Sequence, residues 1–295
     1  MIVSASRRTD IPAFYADWFM QRIRAGSCTV PNPFKPRQVS HVSLAPGDVD
    51  AIVFWTRNPE PLLPRLQELD SRGYRYYFQY TLMDNLRLLD SGAPAVAAGI
   101  QSFLHLAGQV GPERALWRYD PIVLSTLTPP EFHVRRFERL ASALRGATRR
   151  CTISLVDVYR KAAARMGGLK ARGLNLRPPS GPDFEAMIRS MVAIAGANGM
   201  EIVSCAEEVD LIPFGVRPGK CIDDRLIARV FGIRVTHAKD PSQRPACGCV
   251  ASRDIGMYDT CPAGCVYCYA TNSLEAVARN RACHNPSADS LVSVN

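Results

Sequence analysis

Ala115-Leu-Trp-Arg-Tyr119 is a short apolar and aromatic run, closed by Asp120-Pro121. A second stretch, Pro130 to Arg145, follows and carries Phe132, Val134, Phe137, Leu140 and Leu144 at helical spacing. Together they predict one strand–helix unit, with proline in the first helical turn and Gly146 after the last. The same pairing recurs on both sides. Strands are predicted at Ile2–Ser6, Ala51–Trp55, Tyr74–Leu82, Thr152–Val158 and Glu201–Cys205. Helical spacing follows at 12–25, 61–72, 94–110 and 182–198. Alternation of this kind argues for a parallel sheet with helices outside it.

Polar groups gather at the C-terminal ends of these strands. They are Ser6-Arg7-Arg8, Thr56-Arg57-Asn58, Gln79-Tyr80-Thr81, Arg118-Tyr119-Asp120, Asp157 with Tyr159, and Glu207-Glu208. In an open doubly wound sheet only the switch point is privileged. In a barrel all strand ends converge on one mouth. The expected fold is therefore α/β, a six-stranded parallel partial (β/α)6 barrel of the TIM type over residues 1–210. Pattern and composition change after it. A cysteine-rich extension is expected over 211–283, with short helices at 223–232 and 273–280, and a frayed polar tail over 284–295.

The chain has 295 residues, 47% hydrophobic and 21% charged, which excludes disorder as its main state. The absence of any apolar run of membrane-spanning length argues for no membrane partner. The N-terminus is apolar first and charged second, the reverse of a secretory signal, so a cytoplasmic location is expected. The net charge of +9 allows an anionic partner or simply a basic solvated surface.

Ten cysteines are unevenly spread, and eight lie beyond residue 204. In a reducing compartment such clustering points to metal rather than disulfides. Cys261-Pro-Ala-Gly-Cys265-Val-Tyr-Cys268 places three thiolates around a loop that Gly264 lets curl. Three such ligands suit three irons of a 4Fe–4S cube and leave the fourth iron open. The competing reading is a zinc site that borrows a fourth cysteine. Cys205, Cys221, Cys247 and Cys249 form a second group, read as another 4Fe–4S cluster, a zinc site or ordinary buried thiols. Arg7, Arg57 and Arg118 suit a carboxylate or phosphate and, with Asp120, are the candidate catalytic groups; rim salt bridges are the plainer reading of the same residues.

Tyr258-Asp-Thr-Cys-Pro-Ala-Gly-Cys-Val-Tyr-Cys-Tyr-Ala270 resembles the radical S-adenosylmethionine superfamily, in its spore photoproduct lyase-like branch. Ser4-Ala-Ser-Arg-Arg-Thr-Asp-Ile-Pro12, Phe54-Trp-Thr-Arg-Asn-Pro59, Trp117-Arg-Tyr-Asp-Pro121, Ser204-Cys-Ala-Glu207 and Cys247-Gly-Cys249 are similar to the bacterial family domain of unknown function 1848, over residues 1 to about 280. The resemblance implies a cluster on Cys261, Cys265 and Cys268 that reductively cleaves S-adenosylmethionine to a 5′-deoxyadenosyl radical, which abstracts hydrogen from a substrate. It implies Tyr267 near the adenine, with Gln79 and Glu207 as further cofactor contacts, and an electron donor such as flavodoxin or ferredoxin. The substrate, whether small molecule, peptide or nucleic acid, is not implied. The motif departs from the superfamily in standing near the C-terminus rather than after the first strand; edge strands of a partial barrel would still let it fold over the same mouth. The second hypothesis is a non-catalytic zinc- or Fe–S-bearing nucleic-acid-binding protein, favoured by the charge and by the basic stretches 145–150 and 160–177. No helix-turn-helix, finger or RNA-binding signature accompanies them.

Overall fold

The structure is a computed structural model and describes residues 1–292. The chain runs through β1 (Ile2–Ala5), α1 (Ile11–Phe14), α2 (Ala16–Ala25), β2 (Ser27–Asn32), β3 (Lys35–Ser43), β4 (Ala51–Thr56), α3 (Leu66–Ser71), β5 (Tyr76–Thr81), α4 (Val96–Val110), β6 (Ala115–Ile122), α5 (Pro130–Ala143), β7 (Arg150–Leu155), α6 (Arg160–Gly168), α7 (Pro182–Ala197), β8 (Glu201–Ser204), β9 (Arg217–Pro218), α8 (Asp224–Phe231), β10 (Arg253–Asp254) and α9 (Leu274–Ala282). Eight strands make one sheet in the order β10-β1-β4-β5-β6-β7-β8-β9. Every pairing in it is parallel.

The fold is thus α/β, with the six central strands where the sequence predicts them. Their spatial order follows their order in the chain, without the reversal of a doubly wound sheet. One face carries Val3, Phe54, Phe78, Trp117 and Ile153. The apolar stripes of α2, α3, α4, α5 and α7 bury against that face. The other face carries Ile2, Ala51, Val53, Tyr77 and Leu116, covered by α8 and the segments around Cys221 and Val250. Crossover helices confined to one side of a sheet in sequential order are compatible with a partial barrel.

The two edge strands come from the segment expected as an extension. β9 pairs with β8, and β10 pairs with β1. A two-residue strand has no periodicity to read, so neither is visible before the chain folds. The β2–β3 antiparallel hairpin is also additional, and Pro31 and Pro33 weaken any strand signal there. Helix α6 lies in the basic stretch, with few apolar positions to betray it. The predicted helix at 12–25 is divided at Tyr15, whose φ of −138° leaves the helical region.

The frayed tail expected after residue 283 is not what residues 284–292 do. Leu291 and Val292 are buried. The Trp18 indole donates to Ala288 O at 3.0 Å, and Thr29 N donates to Asp289 O at 2.8 Å. Two apolar residues and paired backbone groups outweigh the polar composition; residues 293–295 of that tail lie outside the described residues. Among the described residues no helix is long and apolar enough to cross a membrane.

Two expectations follow. Leu291→Ala should destabilise the protein by about 2–5 kcal/mol, the ordinary range for a buried leucine, measured by denaturant unfolding. A change within error would show that the tail does not contribute. His133 is the second. It is fully buried in α5, with Nδ1 3.1 Å from Tyr119 Oη and Nε2 3.1 Å from Val123 O. Burial lowers its pKa to about 4, only partly offset by the Val123 carbonyl. A lowered folded-state pKa gives stability that is present above about 6.5 and lost as pH falls toward 4. The loss should be on the order of 3 kcal/mol across that window. His133→Gln should flatten the pH dependence of the melting temperature there; an unchanged slope would remove His133 as its source.

Candidate functional site

Because the sheet is parallel, the C-terminal ends of its strands share one edge, and the predicted site residues collect along it in two neighbourhoods. The first centres on the three-cysteine loop. Gly264 adopts φ +67°, which lets the chain turn between Cys261 and Cys265. The loop is zipped to the residues after β5: Gly92 N donates to Ala263 O at 3.1 Å, Val266 N donates to Leu89 O at 3.0 Å, and Asp90 bridges Cys265. A Cβ on Gly92 would stand 2.5 Å from Ala263 O, so only glycine allows this approach.

Arg57, just beyond β4, reaches the same loop. Its Nη2 lies 2.6 Å from Tyr267 Oη and 3.3 Å from Asp90 Oδ1, and Tyr267 Oη also donates to Asp90. Burial opposes the Arg57 charge, yet Cys265, Tyr267, Asp90 and Asp10 together hold it protonated. Burial pushes the Cys265 thiol up, with Arg57 acting in the opposite sense. It also raises Cys261 to about 12, although the backbone N–H groups of Ala263 and Asp10 hydrogen-bond to its sulfur. The thiols of Cys261 and Cys268 are both near enough to act on Cys265 electrostatically. The three cysteines of the motif and Tyr267 are therefore brought together, with Arg57 as the charged neighbour.

The second neighbourhood lies on the face of the sheet opposite the crossover helices. Cys205, just past β8, has its Sγ 3.0 Å from Cys221 Sγ. Cys249 interacts in turn with the thiols of Cys221 and Cys247. The hydrogen bond from Cys221 lowers the Cys205 pKa to about 7, and those from Cys221 and Cys247 lower Cys249 further. Cys221 and Cys247 are raised correspondingly, as proton donors in the group. Arg118 Nη1 donates to Cys221 Sγ at 2.7 Å, and its other nitrogens pair with Asp120. Cys249 acts electrostatically on Arg7, whose guanidinium lies 5.5 Å from the ring centre of Trp55, with Arg118 at 5.0 Å from that ring.

Gln79 and Glu207, expected at the cofactor, sit in this second neighbourhood instead. Gln79 Nε2 donates to Cys221 O at 2.8 Å. Glu207 accepts from Leu155 N at 2.9 Å, and burial raises its pKa to about 8, with Cys205 among the negative groups adding to the rise. Of the four candidate catalytic residues, Arg57 stands at the motif loop, while Arg7, Arg118 and Asp120 stand at the second cysteine group. Among the described residues no group of three or more His, Cys, Asp or Glu side chains is already disposed to hold a single metal ion. The donors on offer in both neighbourhoods are sulfurs, the ordinary ligands of iron–sulfur clusters.

A family profile for a domain of unknown function (DUF1848) matches residues 2–270. The chain belongs to this family. No curated protein matches it at a significant level. The family boundary takes in the three-cysteine motif and all four cysteines of the second group, so both neighbourhoods belong to the DUF1848 unit.

Three residues of this DUF1848 protein that matter locally were not singled out from its sequence. Arg165 of α6 donates to the carbonyls of Val266, Thr271 and Cys268, and so clasps the motif loop from outside. Its signal was the basic stretch 160–177, which reads equally well as a solvated or nucleic-acid-binding surface. Asp90 precedes Ser91-Gly92, a turn signal with no hint of its partner. Asp254 accepts from Ser4 Oγ, Ser6 Oγ, Arg7 N and Arg8 Nε. Burial raises its pKa, but Arg8, Ser6 and Arg7 outweigh that and hold it ionised.

Gly92→Ala should displace the motif loop while the sheet persists. Alkylation of Cys265 by iodoacetamide, read by peptide mass spectrometry, should then run several-fold faster than in the wild type. An equal rate, with the circular dichroism unchanged, would show that the close approach at Gly92 does not hold the loop.

Proposed function

We propose that this DUF1848 protein is a radical S-adenosylmethionine enzyme built on a partial (β/α)6 barrel, whose cysteine-rich C-terminal segment carries the cluster. The observation that supports this reading most is the position of Cys261, Cys265 and Cys268. All three stand on one loop, turned by Gly264 and held against the C-terminal edge of a parallel sheet, where barrel enzymes keep their chemistry.

The three thiols fit three corners of a 4Fe–4S cluster, with no fourth protein sulfur from the motif to close the set. When bound, such a cluster supplies the electron that cleaves S-adenosylmethionine. The chain supplies the surroundings. Arg165, Leu89 and Gly92 hold the loop backbone in place. Arg57 remains charged beside Cys265, and the cation favours the thiolate form that a metal requires. Tyr267 is fixed through its hydroxyl to Arg57 and Asp90, which orients its ring within the loop. The three cysteines are partly buried, which limits the water that reaches the reacting groups.

The basic stretches that favour a nucleic-acid-binding protein are partly occupied internally. Arg150 pairs with Glu201 and Asp223, and Arg165 is spent on loop carbonyls. This leaves the enzyme reading better supported than a binding module.

The test is anaerobic reconstitution with iron, sulfide, dithionite and S-adenosylmethionine, followed by chromatography for 5′-deoxyadenosine. The wild type should form it and Cys265→Ala should not, while both retain the same circular dichroism. Arg57→Lys should fall between them, because an ammonium keeps the charge but does not reproduce the Nη2 contacts with Tyr267 and Asp90. Cleavage undiminished in Cys265→Ala, or none in the reconstituted wild type, overturns the reading.

A further inference from the structure

We propose that Cys205, Cys221, Cys247 and Cys249 bind a second iron–sulfur cluster of this protein, a 4Fe–4S centre closed by four cysteine ligands on the face of the sheet opposite the crossover helices. The inference does not depend on S-adenosylmethionine chemistry at the motif loop.

Its first support is convergence. The four thiols come from three separate segments: the end of β8, the loop before α8, and the stretch 247–249. Cys205 and Cys221 touch at 3.0 Å, Cys249 Sγ accepts from Ile222 N, the residue after Cys221, at 3.3 Å, and all four thiols belong to one packed cluster. An incidental buried thiol is a small hydrophobe with apolar neighbours, as Cys151 is in the helix-covered core. These four also line an apolar cluster, with Ile222, Leu226, Ile227 and Val250 around them, but they additionally face one another and charged donors, which Cys151 does not.

The second support is independent of the first. Donors are aimed at the sulfurs: Arg118 Nη1 at Cys221 Sγ, 2.7 Å away, and Ile222 N at Cys249 Sγ, 3.3 Å away. Arg7 Nη2 has no hydrogen-bond partner although it is buried. Cationic and N–H donors turned toward sulfur match the outer shell of a cluster bound by thiolates, whose negative charge they offset. Arg118 is held by Asp120 and Arg7 lies 3.9 Å from Asp240, so both cations stay charged beside the sulfurs.

The segments that carry the thiols are also rigidly seated. Tyr77 Oη and Gln79 Nε2 both donate to Cys221 O, at 2.7 and 2.8 Å. Val250 N donates to Ile222 O at 3.2 Å, which ties the Cys247–Cys249 stretch to the Cys221 loop. Fixed ligands of this kind are what a cluster site needs. Zinc sites favour cysteine pairs two to four residues apart, whereas Cys247 and Cys249 are separated by Gly248 alone. That spacing is not the ordinary one of a zinc knuckle.

The experiment uses the full chain with Cys261→Ala, Cys265→Ala and Cys268→Ala combined, which removes the motif ligands. After anaerobic reconstitution with iron and sulfide it should retain about four irons and about four sulfides per chain, against about eight of each in the wild type. It should also give an electron paramagnetic resonance signal on dithionite reduction that S-adenosylmethionine does not alter. Adding Cys249→Ala should abolish both iron and signal. Should the fourth change unfold the protein, Cys205→Ala in its place gives the same readout from the half-exposed end of the group. A triple variant without iron overturns the proposal, as does one that holds zinc in place of iron, or one whose iron survives loss of Cys249 or Cys205. Failure of the motif chemistry would instead appear as absent 5′-deoxyadenosine with this iron intact, so the two readings fail separately.

Discussion

The Asp254 carboxylate is the point on which the arrangement turns. It is partly buried at the edge of the sheet and accepts from Ser4, Ser6, the backbone N–H of Arg7 and the side chain of Arg8. A carboxylate drawn out of water without partners would be protonated; this one stays ionised because so many donors converge on it. Its effect is to fasten a strand from the last sixth of the chain to the first strand. Gly256 packs so closely that a Cβ there would stand 2.0 Å from Ser6 Oγ, so the backbone passes directly over the end of β1. The three-cysteine loop begins a few residues later, which places it against the strand ends instead of leaving it free.

From that junction the chain delivers sulfur to two neighbourhoods along one edge of the sheet. Arg7 and Arg118 both pack on Trp55, with each guanidinium within 6 Å of the indole ring centre. In one neighbourhood Arg57, Tyr267 and Asp90 form a closed triangle beside Cys265. In the other, Arg118 and Gln79 hold Cys221 by its sulfur and its carbonyl. Charged groups at such depth are tolerated because each has a partner of opposite sign or a sulfur to donate to. The polar strand ends are thus braces and candidate reactive groups at once, and the two readings of those arginines are compatible.

Arg165 shows how a functional contact escapes a linear reading. Its neighbours in sequence are basic and small, and nothing in them marks it as the clasp of a loop about a hundred residues away. Gln79 and Glu207 show the converse. Their positions at strand ends are legible, but which cysteine group they serve depends on where the 221 loop and the end of β7 come to lie. The Arg57 site was readable as to residue and edge, and its partner Asp90 was not, because a turn residue before glycine looks the same whatever it faces.

The sequence by itself determined the α/β class, the six central strands, most of the helices and the three-cysteine motif. These are local properties: apolar periods of two and 3.6, proline and glycine at element ends, and ligand spacing within one loop. Tertiary structure alone decided the edge strands β9 and β10, the β2–β3 hairpin, the packing of residues 284–292 and the gathering of Cys205, Cys221, Cys247 and Cys249. Each of these rests on contacts between segments distant in the chain. A two-residue strand exists only where a neighbour offers free backbone groups, and thiols from separate segments meet only after the sheet has set their origins.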